Sequence, residues 1–329
     1  MDQVVAGRDS MSILDVQSLF VQYPTERGAV NAVDDVSLQL REGETIGIVG
    51  ESGCGKSTLG VSLLRNLPPP GKIVSGHILY KDIDITAASE TDLQKIRGRE
   101  ISMVFQDPSA TLNPLMRVRD HFMEFFNQHE PSLPRTDVVS KSKDLLVQLG
   151  IPAERFDDYP HQLSGGMKQR VCIGLAIALN PTILIADEPT TALDVLVEAQ
   201  ILQLLKKLKD ELNLTLILIT HNMAVVAETA DRICIMYAGK VAEVGDTTSI
   251  FQKPMHPYAE ALLQSVPNLK KRDQVVKSIP GSPPDLAQPP SGCLYHPRCQ
   301  YAFDKCRIKH PPLISLDNGR KVACYLRGE

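Results

Sequence analysis

Gly50-Glu51-Ser52-Gly53-Cys54-Gly55-Lys56-Ser57 is a stretch suited to holding a polyphosphate. Backbone N–H groups of a glycine-rich turn can all point at one anion, and a helix starting at its end adds the positive pole of its dipole to the same spot. In this pattern Lys56 neutralises charge on β- and γ-phosphates and the Ser57 hydroxyl binds Mg²⁺. Gly50, Ser52, Gly53, Cys54, Gly55 and Thr58 complete the candidate cradle. Further along, Ile183-Leu184-Ile185-Ala186 runs into two adjacent acids, Asp187 and Glu188. Side chains next to each other on a strand face opposite ways, so the two carboxylates take different tasks. Asp187 would sit by Mg²⁺, and Glu188 would polarise an attacking water as general base. Leu163-Ser164-Gly165-Gly166-Met167-Lys168-Gln169 sets a serine and two glycines ahead of a helical run. That is either a second anion site, open to a phosphate held by another surface, or a plain cap in which Ser164 bonds a free N–H.

Elements that could position these residues are readable around them. Ile13 to Phe20 and Val36 to Leu40 read as strands, and Glu44 to Val49 as a short buried strand feeding the glycine-rich turn and a helix from Ser57. Strand, loop and helix in that order make a βα unit. Thr182 to Ala186 and Thr215 to Thr220 are apolar, β-branched runs of the kind found in the centre of a parallel sheet. Val195 to Leu212 has helical apolar spacing with lysines and acids opposite, as a crossover helix should. Lys141 to Leu149 and Met167 to Leu179 are also helical in spacing.

The 329 residues, 43% of them apolar and 22% charged, suffice for a large core and about two domains. No apolar stretch approaches the roughly 18 residues that span a bilayer, and no apolar leader precedes Ser10, so a cytosolic chain is expected. The net charge of −4 is uneven. Residues 254–329 hold eleven Lys and Arg against six Asp and Glu, whereas residues 1–253 hold 24 against 33. The same last 76 residues contain eleven of the 23 prolines and four of the seven cysteines. A break near Pro254 therefore marks an appendage that is expected to be extended and turn-rich rather than helical. With 5% aromatics and no Trp, nucleic-acid binding is not expected.

Taken in order, the phosphate loop, Gln106 after Met103-Val104-Phe105, the Leu163 to Gln169 segment, Asp187-Glu188, Ala192-Leu193-Asp194 and His221 resemble an ABC-type ATPase over residues 11 to about 254. The resemblance implies an α/β fold: a P-loop core with a parallel sheet, an N-terminal antiparallel β part, a helical insertion at about 107–179 and a C-terminal extension at 255–329. It implies ATP and Mg²⁺ as cofactors, with Gln106 beside the metal and His221 on the γ-phosphate. Tyr23 is implied to stack on adenine. Ser164, Gly165 and Gly166 are implied to serve ATP held by a second ATPase subunit, a copy or a paralogue. Met167 stands where many relatives carry Gln, while the phosphate contacts come from Ser164 and the backbone.

Phe105-Gln106-Asp107-Pro108, Leu112-Asn113-Pro114, His256-Pro257-Tyr258, Ile279-Pro280-Gly281-Ser282-Pro283-Pro284 and the Cys-rich tail resemble the ATP-binding subunits of oligopeptide and dipeptide importers. This implies two membrane permeases and an extracytoplasmic solute-binding protein as partners, and a peripheral place on the cytoplasmic face of the membrane. The alternatives are a nickel or other small-solute importer ATPase, or a soluble regulatory ABC ATPase.

Cys293, Cys299, Cys306 and Cys324 are spaced x5, x6 and x17 in the basic, proline-rich tail. A segment with so few apolar runs needs a staple. Spacing leaves zinc and iron–sulfur even, because neither Cys-x2-Cys knuckles nor ferredoxin runs are present. The importer resemblance implies a [4Fe–4S] cluster, whose negative charge Arg298, Lys305, Arg307 and Lys309 could offset. Cys54, Cys172 and Cys234 are expected to be buried thiols or incidental loop residues.

Overall fold

The computed structural model describes residues 12–26, 28–265, 278–316 and 319–328. The chain opens with two long strands, β1 (Ser12–Thr25) and β2 (Gly28–Arg41), then β3 (Thr45–Val49), the phosphate loop and α1 (Lys56–Ser62). After these come β4 (Lys72–Tyr80), β5 (Ile83–Asp84), α2 (Glu90–Ile96) and β6 (Ile101–Val104). Next is a helical layer of α3 (Pro108–Thr111), α4 (Val118–His129), α5 (Arg135–Gln148) and α6 (Gly165–Ile177). The chain then returns through β7 (Ile183–Asp187), α7 (Val195–Leu212), β8 (Thr215–Thr220), α8 (Met223–Thr229), β9 (Arg232–Tyr237) and β10 (Lys240–Asp246). It finishes with α9 (Thr247–Gln252), α10 (Pro257–Gln264), α11 (Asp304–Ile308), β11 (Ile314–Ser315) and β12 (Lys321–Val322).

Two sheets organise these elements. An antiparallel sheet runs β2-β1-β4-β5, and a mixed sheet runs β11-β12-β10-β9-β3-β8-β7-β6. Strands β9, β3, β8, β7 and β6 are parallel, and β10, β12 and β11 add on antiparallel at one edge. Parallel strands covered on both faces are nearly continuously apolar, and this is why β7 and β8 read as apolar runs bounded by Asp187 and by threonines. Ile217 and Ile219 of β8 face α1 and the antiparallel sheet, while Leu216 and Leu218 face α6 and α7. Helix α6 lies between the sheet and the other insertion helices, so Ile173 and Ile177 pack on the sheet while Val171 and Cys172 join Phe122, Phe126 and Phe156. A helix buried on two sides is apolar nearly all round.

The tail differs from the extended segment expected. Three residues after Pro254 it forms α10, in which Pro257 takes the first helical position and His256 Nδ1 accepts from the Tyr258 N–H at 3.0 Å. Tail and core also share one sheet, because β12 pairs with β10 through Glu243↔Val322 and Val244↔Lys321. Glu243 is fully buried there and accepts from Arg320 Nε at 2.8 Å and from the His256 N–H at 2.8 Å. Among the described residues no helix is long and apolar enough to cross a membrane.

Candidate nucleotide-binding site

The phosphate loop leaves the end of β3 with two glycines in left-handed geometry. Gly50 has φ +156°, and a Cβ there would lie 2.2 Å from the Met236 carbonyl oxygen; Gly55 has φ +102°, and its Cβ would lie 2.0 Å from that of Ala32. Both positions demand glycine for room as well as for angle. Lys56 Nζ donates to the Gly50 and Glu51 carbonyls at 2.9 and 3.1 Å, holding the ammonium inside the loop. Ser52 and Gly53 lie on the exposed rim, and Cys54 is buried with its thiol raised by desolvation. Ser57 Oγ donates to Asp187 Oδ1 at 3.0 Å, across 130 residues of sequence. Burial pushes the Asp187 carboxyl up, partly offset by that hydrogen bond and by Lys56, and a cation beside this pair would pull it back down. The donor set suits a hard divalent ion.

Glu188 departs from the strand alternation expected of it. It lies just past β7 with φ +44°, an uncommon angle for a residue with a side chain, and its N–H donates to Ile219 O at 2.8 Å. Gln106 Nε2 and Thr191 Oγ1 donate to Glu188 Oε2 at 3.2 and 2.9 Å, and His221 Nδ1 lies 3.3 Å from the same oxygen. Gln106, Glu188 and His221, drawn from the ends of three neighbouring parallel strands, thus meet at one carboxylate. Thr191 belongs to this group without a signal in the sequence, since two adjacent threonines in Pro189-Thr190-Thr191 carry no distinguishing pattern.

Other expected residues are placed elsewhere. Ser164 caps α6, accepting from the Met167 N–H at 3.3 Å. Gly166 lies so near α7 that a Cβ would fall 2.7 Å from Val197 Cγ1. Their helix packs chiefly with α3, α4, α5, α7 and β6, whereas α1 packs with β2, β7 and β8, so this segment is not built into the chain's own phosphate loop. Tyr23 is half-buried and pairs with Val30, two residues from the Ala32 that abuts Gly55; part of its ring lies against Gly71. Cys54, Cys172 and Cys234 are buried, with the last two thiols pushed up to about 12 by desolvation.

In the tail, Cys293, Cys299, Cys306 and Cys324 line one cavity and are not joined as disulfides. Burial raises the thiols of Cys293, to about 11, and of Cys299 and Cys324. Among the described residues no group of three or more His, Cys, Asp or Glu is placed so that it could hold a metal ion. Arg298 does not serve these thiols: its guanidinium forks onto Glu51 of the phosphate loop, Nη1 to Oε2 at 2.6 Å and Nη2 to Oε1 at 3.0 Å.

Profile comparison matches residues 33–191 to the ABC transporter family and residues 242–306 to the oligopeptide/dipeptide transporter C-terminal region. The chain is 44% identical to a dipeptide transport ATP-binding protein of Caldanaerobacter subterraneus, over 96% of this chain and 98% of that one. The chain belongs to the ABC transporter ATPase family. Identity to the Escherichia coli dipeptide transport ATP-binding protein is also 44%, over 96% and 97% of the two chains. A putative peptide import ATP-binding protein of Brucella melitensis is 45% identical over 95% and 94%. Among solved structures, this ABC ATPase superposes on a dimeric ATP-binding cassette in a post-hydrolysis state bound to ADP and Pi with a TM-score of 0.64, at 29% identity, covering 71% of this chain and 98% of the other. It matches cbiO1 of Clostridium perfringens at 0.63 and 30% identity, over 74% and 91%.

Proposed function

We propose that this ABC ATPase hydrolyses ATP to power import of di- or oligopeptides through a membrane transporter. The observation carrying this reading is the 44% identity with dipeptide transport ATP-binding proteins over nearly the whole chain, tail included. Residues 11–254 form the nucleotide-binding part in this reading, with its helical insertion at about 107–179, and residues 255–329 form the extension; Met11, Arg27, residues 266–277 and 317–318 and Glu329 lie outside the described residues.

The roles assigned to each residue are those that the family resemblance implies, and the contacts described above support them in part. Amides of Gly50, Ser52, Gly53, Cys54 and Gly55 cradle the polyphosphate, Thr58 adds to the cradle, Lys56 balances its charge, and Tyr23 stacks on adenine. Ser57, Asp187 and Gln106 would hold Mg²⁺, which supplies charge neutralisation across the β- and γ-phosphates when bound. Glu188 accepts a proton from water as its oxygen attacks the γ-phosphorus and the bond to the β–γ bridging oxygen breaks. His221, beside the same carboxylate, donates to the γ-phosphate, and Thr191 and Gln106 keep Glu188 aimed. Ser164, Gly165 and Gly166 complete the site of a second ATPase subunit, identical or paralogous. The remaining partners are two permeases and, acting through them, an extracytoplasmic solute-binding protein, so the ATPase works peripherally at the cytoplasmic face.

Cys293, Cys299, Cys306 and Cys324 would hold a [4Fe–4S] cluster, which cross-links the tail when bound. Four thiolates on one zinc ion lie about 3.8 Å apart from Zn–S bonds of about 2.3 Å. What supports a shared metal group here is that the four cysteines line one cavity.

Co-purification with two polytopic permeases and uptake of labelled dipeptides by the reconstituted complex test the transport reading. ATP-dependent uptake is expected. A complex that takes up nickel but no peptide, or an ATPase that binds no permease, overturns it.

A further inference from the structure

The phosphate loop is gripped from the tail at two points. Tyr258 Oη accepts from the Glu51 N–H at 2.9 Å, and Arg298 clamps the Glu51 carboxylate bidentately. Glu51 is also the residue whose carbonyl receives Lys56 Nζ. The arginine side chain is 4% exposed against 25% for Glu51, and it is fixed on every side. Its Nε donates to Pro280 O at 2.7 Å, its Nη1 reaches Tyr237 Oη at 3.3 Å, and its guanidinium lies 5.8 and 6.0 Å from the ring centres of Tyr237 and Tyr295. Those rings pack against Tyr258 with centres 4.6 and 5.3 Å apart, tilted by 59° and 56°. A carboxylate inside a polyphosphate cradle repels its ligand unless something neutralises it. A rigid, buried guanidinium does so in the geometry that arginine alone provides.

We infer that Arg298 is a positioning residue for nucleotide binding, cancelling the Glu51 charge so that the phosphate loop accepts ATP. This rests on Gly50–Ser57 being the nucleotide loop. One uncompensated charge beside the phosphates, at the effective dielectric of a protein surface, corresponds to about a tenfold loss of affinity.

The test is the Kd of a fluorescent ATP analogue with Mg²⁺ for the full-length chain at low and high salt. Arg298→Ala should bind about tenfold more weakly, and the deficit should shrink at about 0.5 M salt. Glu51→Gln should bind more tightly than the parent, because the arginine's charge is then free to act. The double variant should return near the parent. Arg298→Lys, which keeps charge without the fork, should fall between parent and Arg298→Ala and also covers poor folding of the alanine variant. Opposite signs for the two single changes are the decisive result, since a purely scaffolding contact weakens binding from either side. Equal weakening by both changes, or an Arg298→Ala variant that binds like the parent, overturns the inference. Lys56→Ala separates the two readings: if it binds normally, the loop assignment fails; if it loses ATP while Arg298→Ala does not, only this inference fails.

Discussion

Arg320→Ala removes the cation from the most deeply buried carboxylate that joins tail to core. Glu243 has 0% exposure and four partners: Nε and Nη2 of Arg320, and the N–H groups of Met255 and His256. The substitution leaves two backbone donors and an unpaired charge, and it uncovers Gly245, where the Arg320 stem packs within 3.5 Å of the Cβ position. Stranding one partner of a buried ion pair costs about 3–5 kcal/mol. At about 2 °C per kcal/mol for a chain of this size, the melting temperature should fall by about 6–10 °C. Thermal unfolding followed by circular dichroism on the full-length chain measures this, with Glu243→Gln/Arg320→Ala as the partner experiment. The amide keeps its backbone donors and carries no charge, so the double variant should recover to within about 1–2 kcal/mol of the parent. An Arg320→Ala protein within about 0.5 kcal/mol of the parent, or a double variant as unstable as both single losses added together, would refute the reasoning.

Glu188→Gln should bind MgATP like the parent and hydrolyse it at least about 100-fold more slowly; near-parent phosphate release in single turnover would show that another base acts. Lys56→Ala should lose nucleotide affinity, whereas Ser164→Arg should keep it on the isolated subunit and lose turnover; equal loss of binding in both argues against a site shared between subunits. Anaerobically purified protein should be brown with about four irons per chain and Cys306→Ser colourless, while stoichiometric zinc without visible absorbance would leave a zinc staple instead. Burial and the nearby His310 hold His256 down at about 3, while the unfolded imidazole titrates near 6.5. The unfolded chain therefore binds the extra proton between those values, and the stability from neutral His256 is full above about pH 6.5 and is lost below it, by up to about 1.4 kcal/mol per pH unit. His256→Gln should flatten that part of the stability profile between pH 7.5 and 5; parallel profiles would place the acid sensitivity elsewhere.

The parts of the fold readable in advance were those with a local period or a local stop. Val195–Leu212 begins at the Asp194 cap and ends at Asn213 in left-handed geometry, and both signals are visible as letters. The strands β7 and β8 announce themselves because both faces are buried. α10 has no such signal, because a run rich in proline argues against helix, although Pro257 occupies a first-turn position where its missing N–H costs nothing. At the site, the identity of Gln106, Glu188 and His221 was legible, but the way Glu188 turns to meet the others was not, since strand alternation does not extend to a residue at φ +44°. The pairs Arg298–Glu51 and Arg320–Glu243 lie 247 and 77 residues apart. Single charges in a proline-rich tail carry no period, so only the folded arrangement reveals which of them are buried.

The clamp on the phosphate loop also has a schedule. Arg298 is made 247 residues after Glu51, and at about 5–20 residues per second that is a delay of about 12–50 s on the ribosome. For most of that interval β8 and β9, the strands that flank β3, are themselves still to be made, so the loop has no finished sheet to stand on. Only the last stretch, after Tyr237, leaves the loop with its flanking strands and Glu51 without its arginine. On the inference above, a subunit at that stage would hold nucleotide more weakly than the finished chain.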